Sequence, residues 1–434
     1  MAPVIALTHA GHNSLHQCTP DHVCSIIPDY LLQDIADSDA VPEDARICAR
    51  HTLTHNLAFR TIRSSLTHDD GAHVGHSIVP SYMLQDIINS AQTSEEDKQR
   101  AQKSLAQSEA IRAARAGVSI DAILRVRLNR TIYDAEHGND LPGDRVRKEG
   151  QVAIQDVNVN EVYDFFKKTY DFYLEVFKRN SIDDHGMSLI GSIHYDDLEP
   201  PPGFNNAFWN GHQMVFGDGD GIMFASFTKC LDVIAHELTH GVTQYTAWLP
   251  YHLQSGALNE HMSDVFGSMV RQYHLNKQEA KDADWLIGKG IFAPGFQGRA
   301  LRDMRAPGTA YNDPRLEKKD RQVGHMDDYV VLPDDEKPKN DRGGVHINSG
   351  IPNRAFYLVA TTLGGHSWDK AGQIWYKTLL DLRLRRFAQD PNNWDNCFPT
   401  FASLTCAHAL EYGSDVQAVV KKAWNTVGVT PMDE

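Results

Sequence analysis

Two histidines four residues apart, in the segment DVIAHELTHGVTQYTA (232–247), constrain this chain more than any other feature. Apolar residues flank the HELTH core at helical spacing, and residues i and i+4 of a helix lie one turn apart on the same face. His236 and His240 can therefore bind one metal ion at the ~2.0–2.1 Å of a Zn–N bond. The HExxH pattern also occurs by chance, so a third ligand is needed to establish a site.

The third ligand distinguishes between classes of zinc site. A third histidine in the pattern HExxHxxGxxH would be at position 246, which is Thr246. The segment GALNEHMSDVFG (256–267) instead supplies Glu260 on a second predicted helix, which leaves a fourth coordination position for water. Asp264, one turn later, can accept the free ring N–H of a zinc-bound histidine. These two carboxylates argue against the alternatives, a structural zinc site or a surface helix with two histidines.

Glu237 follows His236 directly and is predicted to point toward the open side of the metal. Zinc lowers the pKa of its bound water toward neutrality. A carboxylate within hydrogen-bond reach can take that proton and later deliver it to a leaving amine. We therefore interpret Glu237 as a general base.

Two further residues are candidate donors to an oxyanion. His346 lies after a glycine-rich turn in DRGGVHINSG (341–350), and Tyr251 precedes Glu260 by nine residues. A lone histidine is more often structural, but Asp341 is close enough in sequence to orient this one. Hydrolysis through a tetrahedral intermediate needs such donors.

The segment NNAFWNG (205–211) has two interpretations. The simpler is a turn with a core tryptophan. The functional one is a strand edge that pairs with an extended peptide through Asn206 and the Ala207 backbone.

Together, five segments resemble the thermolysin-like family of zinc peptidases, over about residues 131–430 and in the family's order: NNAFWNG, GDGDG, DVIAHELTHGVTQYTA, SGALNEHMSD and GGVHINSG. Thermolysin is a known His2Glu zinc enzyme. The resemblance implies an endopeptidase that acts on peptides or proteins, with one zinc ion per chain on His236, His240 and Glu260. It makes Glu237 the base, Tyr251 and His346 the oxyanion donors, and Asp341 the residue that orients His346.

The resemblance also assigns substrate-binding residues. Arg302 matches the arginine that binds the P1′ carbonyl, and Asn206 with Ala207 matches the edge that binds the peptide backbone. The implied S1′ pocket is apolar and is lined by Phe224, Phe227, Val233, Ile287, Ile291 and Leu301. Cleavage is therefore expected before hydrophobic residues. The bulk of Phe227, at a usually aliphatic position, would favour medium-sized P1′ side chains.

The implied fold is α+β, with a β-rich N-terminal lobe (131–235), a helical C-terminal lobe (236–434) and the HELTH helix at the floor of the cleft. The hydrophobic patterns agree with this fold. Short alternating runs dominate before Phe227, with a helical stretch at 159–179. Helical patterns follow at 231–246, 257–275, 350–363, 368–387, 398–411 and 414–426.

An internal repeat precedes these lobes. CSIIPDYLLQDIADS (24–38) matches HSIVPSYMLQDIINS (76–90) at an offset of 52 residues, and the two copies span 24–67 and 76–115. Each copy is predicted to be a small helical module. A short propeptide that begins with a Ser-Ile-Ile-Pro segment is typical of the protealysin-like branch, so the repeat resembles a doubled propeptide that inhibits the enzyme intramolecularly. The usual second proline is replaced by Asp29 in the first copy and by Ser81 in the second. Both copies depart from the family pattern, so the sequence does not show which of them occupies the cleft.

Two further segments flank the repeat copies, one before the first copy and one after the second. Residues 1–23 are expected to form a flexible leader, and 116–130 a connector with the processing site. The bonds Gly117–Val118 and Ser119–Ile120 suit self-cleavage. Cys24 and its equivalent His76 are interpreted as packing positions, with a zinc cap as the alternative.

A double calcium site found in many relatives has lost most of its carboxylates here. Asp232 and Asp284 remain, whereas its other acidic positions are Arg271, Leu286 and Lys289. Ca²⁺ takes six to eight oxygen ligands. Arg299 likewise replaces an aspartate of a second calcium loop. We therefore predict that calcium is not bound at these sites.

The composition argues against binding to nucleic acid and against a membrane span, but it does not identify the cellular location of the protein. The net charge of −15 argues against nucleic acid, and no apolar run approaches the ~20 residues of a membrane span. The N-terminal MAPVIALTHAGHN is not a convincing signal peptide, so we expect secretion by a leaderless route, with a cytoplasmic location as the alternative. We also expect a monomer. Six cysteines are interpreted as free thiols, with a Cys397–Cys406 disulfide as the alternative.

Two other functions compete with the endopeptidase. A catalytically silent binding protein would retain the fold, but every catalytic position is intact. An aminopeptidase would need acidic residues that hold a substrate N-terminus, and no such block precedes HELTH.

Overall fold

The computed structural model describes residues 24–66, 127–196, 203–335 and 337–432, without the side chains of 24 and 57–66. Residues 24–64 belong to the same compact unit as 129–432. The predicted leader, the second repeat, most of the connector and His76 lie outside the described residues.

The first repeat contains one short strand and two helices. They are β1 (Cys24–Ser25), α1 (Asp29–Asp37) and α2 (Glu43–Leu66). Pro28, with φ −60°, starts α1 in the extended conformation that suits a helix N-terminus. The helical module predicted from the repeat pattern is thus present in the first copy.

The N-terminal lobe is built on a six-stranded sheet with the order β1-β5-β6-β4-β2-β3. Its own strands are β2 (Arg130–Asp134), β3 (Asp144–Lys148), β4 (Leu189–Ile193), β5 (Ala207–Trp209) and β6 (Met214–Phe216). Strands β2, β4 and β6 are parallel neighbours, and the other pairs are antiparallel. The sixth strand, β1, comes from the first repeat and pairs with β5.

A long helix packs against this sheet. It is α3 (Val157–Phe177), which starts where the Asp156 side chain accepts the Val159 N–H at 3.2 Å. Gly191 in β4 lies under α3, where a Cβ atom would come within 3.0–3.1 Å of Phe166 and Val162. The absence of a side chain at Gly191 therefore permits the close helix–sheet contact.

Two crossing helices form the floor of the cleft, α4 (Leu231–Gln244) and α5 (Leu253–His274). Gly267 of α5 lies against α4, where an added Cβ would be 2.6 Å from the Asp232 carbonyl oxygen. A side chain there would separate the helices, so Gly267 keeps the HELTH face close to α5.

The remainder of the C-terminal lobe is mostly helical. Its elements are β7 (Leu286–Ile287), β8 (Arg302–Asp303), α6 (Asp341–Asn348), α7 (Gly350–Leu363), α8 (Lys370–Leu380), α9 (Leu382–Ala388), α10 (Cys397–Ala409) and α11 (Ser414–Thr426). A large apolar core joins these helices to α3, α4 and α5, and includes Trp375 stacked on Trp424. The predicted α+β fold with its helical C-terminal lobe is confirmed.

Two expectations are corrected. The helical pattern at 368–387 forms two helices, because Asp381 ends α8 and its side chain caps α9 through the Arg383 N–H at 2.9 Å. The alternative Cys397–Cys406 disulfide is wrong: both thiols are free and buried, as are those of Cys48 and Cys230.

Candidate active site

Helices α4 and α5 bring three predicted ligands together. Nε2 of His236 lies 3.1 Å from Nε2 of His240, and each nitrogen lies 3.5 Å from a carboxylate oxygen of Glu260. All three side chains are almost fully buried. Within the described part of the chain, the polar contacts of Glu260 Oε2 are those of 3.5 Å with His236 and His346.

This arrangement fits a zinc ion. Tetrahedral coordination with bonds of ~2.0–2.1 Å places ligand atoms about 3.3 Å apart, close to the three separations observed. Two imidazoles and one carboxylate are also the donor set of many catalytic zinc sites. The His236, His240 and Glu260 atoms are thus arranged as a candidate metal site.

Hydrogen bonds orient both histidines. Nδ1 of His236 lies 2.9 Å from Asp264, as the sequence predicted. Nδ1 of His240 lies 2.8 Å from the side-chain oxygen of Asn259 and 3.1 Å from Ser263 Oγ. Such partners direct the Nε2 atoms toward the metal. Sequence reasoning missed Asn259 and Ser263, although both lie in the NEHMSD segment it had selected.

Asp264 is itself held by two residues from other elements. Arg302 in β8 donates to both of its oxygens at 2.7–3.1 Å, and Asn353 in α7 donates to Oδ2 at 2.8 Å. Asn353 had no local sequence signal, since it reaches the site only through the packing of α7. Arg302, expected to bind substrate, thus also fixes the residue that orients His236.

Protonation in this cluster follows from burial and charge. Burial lowers the pKa of His240 to about 3, which leaves the neutral ring that a metal requires. Burial would also lower the pKa of His236, but the hydrogen bond with Asp264 and the contact with Glu260 outweigh burial and raise this pKa to about 9. Burial opposes ionisation of Glu260, yet the charge of His346 and the bond with His236 hold its pKa well below the usual range. A proton on His236 therefore competes with a metal for Nε2.

Glu237 lies beside the three ligands and is fully buried. Its Oε2 accepts the main-chain N–H of Trp209 at 3.1 Å, whereas Oε1 has no hydrogen-bond partner among the described residues. Burial raises the pKa of Glu237 to about 8. A carboxylate held at one oxygen and free at the other is suited to proton transfer near neutral pH.

His346 and Tyr251 face the metal ligands from the opposite wall. Nε2 of His346 lies 3.1 Å from the Tyr251 hydroxyl and 3.5 Å from Glu260, to which Tyr251 also donates a short hydrogen bond. Asp341 contacts Nδ1 of His346 at 2.6 Å and accepts its main-chain N–H at 2.9 Å. Burial disfavours the charged ring, but Glu260 and Asp341 outweigh burial and raise the pKa of His346 to about 9.

The turn before His346 requires its glycines. Asp341, Arg342, Gly343 and Gly344 all have positive φ, with both glycines at +83°. A Cβ on Gly343 would also collide with the Leu253 side chain. This left-handed path brings Asp341 back to the His346 ring.

The predicted S1′ residues include two groups of apolar side chains that pack together, one around Gly288 and one made by two phenylalanines. Gly288 in the loop after β7 packs against Leu301, Ile291 and Val233, which lie 3.2–3.7 Å from the site of its absent Cβ. The rings of Phe224 and Phe227 are adjacent, with centroids 5.7 Å apart. All six predicted pocket residues are buried.

The first repeat lies in the cleft as an added strand. Ile26 donates its N–H to the Ala207 carbonyl at 3.2 Å, and Asn206 accepts the Ile27 N–H at 3.1 Å. Arg302 donates to the Ile26 carbonyl at 3.2 Å, and Nε2 of His346 lies 3.1 Å from the Ser25 carbonyl. The edge that was predicted to bind a peptide is thus paired with residues 24–27.

Ion pairs occupy most of the positions that the family resemblance assigns to calcium sites. Arg271 binds both oxygens of Asp284 at 2.7 and 2.9 Å, and Lys289 lies 3.1 Å from the same carboxylate. Asp232 is buried and accepts the Gly288 N–H at 3.0 Å. Arg299, at the second position, pairs with Asp303 at 2.7 Å.

Models of three known domain families match segments of this chain. The family model described as thermolysin metallopeptidase, catalytic domain, matches residues 82–244, and the one described as its alpha-helical domain matches 247–429. A third, described as protealysin propeptide, matches 24–56, within the first repeat.

Individual relatives are similar over most of the chain. An extracellular metalloprotease of Pectobacterium carotovorum subsp. carotovorum is 47% identical over 82% of this chain and 97% of its own length. Protease PrtS of Photorhabdus sp. (strain Az29) is 45% identical over 82% of this chain and 93% of its own. The solved precursor of protealysin from Serratia proteamaculans matches with a TM-score of 0.69 and 43% identity, over 94% of this chain and 100% of that one. This chain therefore belongs to the thermolysin family of zinc-dependent metalloendopeptidases, as a precursor that carries a protealysin-type propeptide.

Proposed function

We propose that His236, His240 and Glu260 hold the catalytic zinc ion and that Glu237 is the general base of peptide-bond hydrolysis. The observation that carries this proposal is the convergence of three buried ligand atoms at 3.1–3.5 Å, beside a carboxylate with one free oxygen. A bound zinc ion would polarise the substrate carbonyl and acidify water. Glu237 would take the proton at Oε1 while the Trp209 N–H holds Oε2.

His346 and Tyr251 would stabilise the charge that develops on the substrate carbonyl. Both donors lie within 3.5 Å of the Glu260 carboxylate, so they face the place where the carbonyl oxygen would approach the ligands. The raised pKa of His346 favours an imidazolium, which is the stronger donor. Asp341 would keep that ring oriented through the reaction.

The contacts of the first repeat support a substrate register. Arg302 binds the Ile26 carbonyl and His346 contacts the Ser25 carbonyl, so Ile26 occupies the P1′ position and Ser25 the P1 position. The buried apolar side chains around Gly288 would then receive a hydrophobic P1′ side chain. We infer that the enzyme cleaves before hydrophobic residues, with Asn206 and Ala207 pairing with the substrate backbone.

The same contacts support latency. Residues 24–27 occupy the strand edge that a substrate would need, so the first repeat would inhibit its own chain. Activation would require cleavage between about 112 and 131, a stretch that lies mostly outside the described residues. The bonds Gly117–Val118 and Ser119–Ile120 remain the proposed self-cleavage sites.

The active enzyme is proposed to work without calcium at the two former family sites, as a monomer and outside the cell. Arg271, Lys289 and Arg299 supply positive charge that would repel Ca²⁺. Two relatives are named as extracellular proteases, which supports secretion by a route still to be identified. Among the described residues, no helix is both long enough and apolar enough to cross a membrane.

One experiment tests the catalytic proposal. The processed enzyme is given an internally quenched peptide with a central Gly–Leu bond, in N-acetylated and free forms, before and after zinc removal by a chelator. Equal cleavage of both forms at Gly–Leu, lost on chelation and restored by zinc, is expected. Cleavage restricted to free N-termini would instead indicate an aminopeptidase. Absence of cleavage by fully processed, zinc-loaded enzyme would indicate a silent binding protein.

A further inference from the structure

A second cluster of metal-binding side chains lies at one end of the N-terminal sheet. Strands β2, β4 and β6 are parallel neighbours, so their carboxyl ends meet at the same edge. The chain continues from these three ends to His137, His194 and Asp218, respectively. This edge is where open sheets with parallel strands usually bind ligands.

The three side chains are close enough to share one ion. Nδ1 of His194 lies 2.7 Å from Oδ2 of Asp218, and Nδ1 of His137 lies 3.6 Å from the same oxygen. All three candidate ligand atoms lie within 4.8 Å of one another. Bonds of ~2.0–2.2 Å need ligand atoms about 3.3 Å apart, and the observed separations of 2.7 and 3.6 Å lie on either side of that distance.

Neighbouring groups orient the ligands in the way that metal sites require. The other ring nitrogen of His194, Nε2, lies 2.9 Å from Asp156, which is itself fixed as the N-cap of α3. A carboxylate behind a histidine is the usual support for a metal-bound imidazole. Asn158 donates to Oδ1 of Asp218 at 3.3 Å, and Nδ1 of His194 lies 2.9 Å from the same oxygen, so both oxygens of Asp218 face His194.

The main chain holds the two histidines in an unusual conformation. His137 and His194 both have positive φ, +57° and +50°, and the His137 N–H donates to the His194 carbonyl at 2.9 Å. Left-handed backbone at a non-glycine residue is costly and concentrates at functional sites. Here it turns both rings toward Asp218.

We propose that His137, His194 and Asp218 form a second metal site, separate from the catalytic centre, for a divalent transition ion such as Zn²⁺ or Co²⁺. Two imidazoles and one carboxylate suit these ions better than Ca²⁺ or Mg²⁺. The His137 side chain is 53% exposed, so the remaining coordination positions are open to water.

A proton competes with the ion at this site. The bond with Asp218, opposed by burial and helped by Asp156, raises the pKa of His194 to about 9. Without metal, the ring is therefore charged and bonded on both sides.

The test counts metal on the Glu237→Gln precursor, which cannot digest itself. Equilibrium dialysis against Zn²⁺ at pH 8 is compared with the same precursor carrying His137→Ala or Asp218→Asn, and with His185→Ala, an exposed histidine of the same lobe, as the matched control. Thermal unfolding with and without added Zn²⁺ is measured on each. The His137 position is half-exposed, so its alanine variant is expected to fold.

The parent Glu237→Gln precursor and its His185→Ala variant should each bind one more equivalent of Zn²⁺ than the His137→Ala and Asp218→Asn variants. Added Zn²⁺ should raise the Tm of the first two proteins by an increment that the other two lack. All variants should keep the equivalent bound at the catalytic centre. Equal stoichiometry and equal Tm shifts in His137→Ala and His185→Ala would overturn the second site. In that case the cluster is a metal-free imidazolium held between two carboxylates. Neither result depends on catalytic activity.

Discussion

The carbonyl oxygen of Ser25 lies 3.1 Å from Nε2 of His346, in the cleft beside the predicted zinc ligands. The next carbonyl along the chain, that of Ile26, accepts from Arg302. A segment of the precursor is therefore held by the same groups that would bind a substrate, in an extended conformation and paired with a strand edge. In the proposed function, latency and substrate recognition share one set of contacts, and both can be tested by substitution.

Ile26→Asp should activate the unprocessed precursor. Ile26 is fully buried, and burial of an unpaired carboxylate costs several kcal/mol, so residues 24–27 should leave the cleft more often. We expect peptidase activity to rise at least ~10-fold before any processing is visible on a gel, since ~1.4 kcal/mol is a tenfold change in population.

The matched control for that prediction is Ile78→Asp, the equivalent position of the second repeat. It should leave the activity of the unprocessed precursor unchanged. A similar rise in both variants would show that the second copy also inhibits, and a rise in Ile78→Asp alone would contradict the register described above.

Glu237→Gln should abolish most activity and retain zinc. Loss of a general base typically lowers kcat by about 10²–10⁴-fold, whereas the ligands His236, His240 and Glu260 remain. Zinc content by mass spectrometry of metals and kcat on a peptide are measured on activated protein. Glu411→Gln, at an exposed glutamate, is the control. A variant that has lost both zinc and activity would assign Glu237 a structural role.

Asn259→Ala should weaken zinc binding. Its side-chain oxygen contacts Nδ1 of His240, and removal of such a partner typically costs about 10–100-fold in metal affinity. Competition with a chromogenic chelator measures the zinc Kd. An unchanged Kd would mean that Ser263, 3.1 Å from the same nitrogen, suffices to orient the ring.

EGTA at fixed free zinc should leave the Tm of the precursor unchanged, because Arg271 and Lys289 neutralise Asp284 without calcium. Arg271→Ala should instead destabilise the fold by about 1–3 kcal/mol, because it removes the bidentate ion pair with Asp284 next to buried Asp232. Thermal unfolding measures both. A large loss of stability in EGTA would refute the calcium-free proposal.

Metal-free precursor should lose stability as the pH rises above about 6.5 and through 9. The folded-state pKa of His194 is raised to about 9, so the protonated ring stabilises the fold fully below its unfolded value of ~6.5. This contribution disappears as the ring deprotonates. Asp218→Asn should make this part of the pH profile of Tm less steep, since it removes the main cause of the His194 shift, whereas the raised pKa values of His236 and His346 remain. A wild-type profile that rises between pH 7 and 9.5 would contradict the assignment.

Local spacing in the sequence was sufficient to select the candidate metal ligands. His236 and His240 lie on one helical face by periodicity alone, and Glu260 and Asp264 share a face of the next helix for the same reason. The helix bounds in the structure are also close to those predicted from the hydrophobic patterns, and the helix predicted at 414–426 spans the same residues in the structure. The break at Asp381 was missed because a capping side chain interrupted a continuous apolar pattern.

By itself, the sequence determined the zinc-peptidase motifs and the duplicated N-terminal module, because each depends on residue types at fixed spacing, and the family resemblance carried by those motifs implied the α+β fold. Only the tertiary structure decided which long-range partners meet. Asn353 reaches Asp264 across 89 residues, and the first repeat reaches His346 across more than 300. Likewise, His137, His194 and Asp218 share an edge only because β2, β4 and β6 are parallel neighbours. Such contacts depend on how helices and strands pack, which no local pattern of residues encodes.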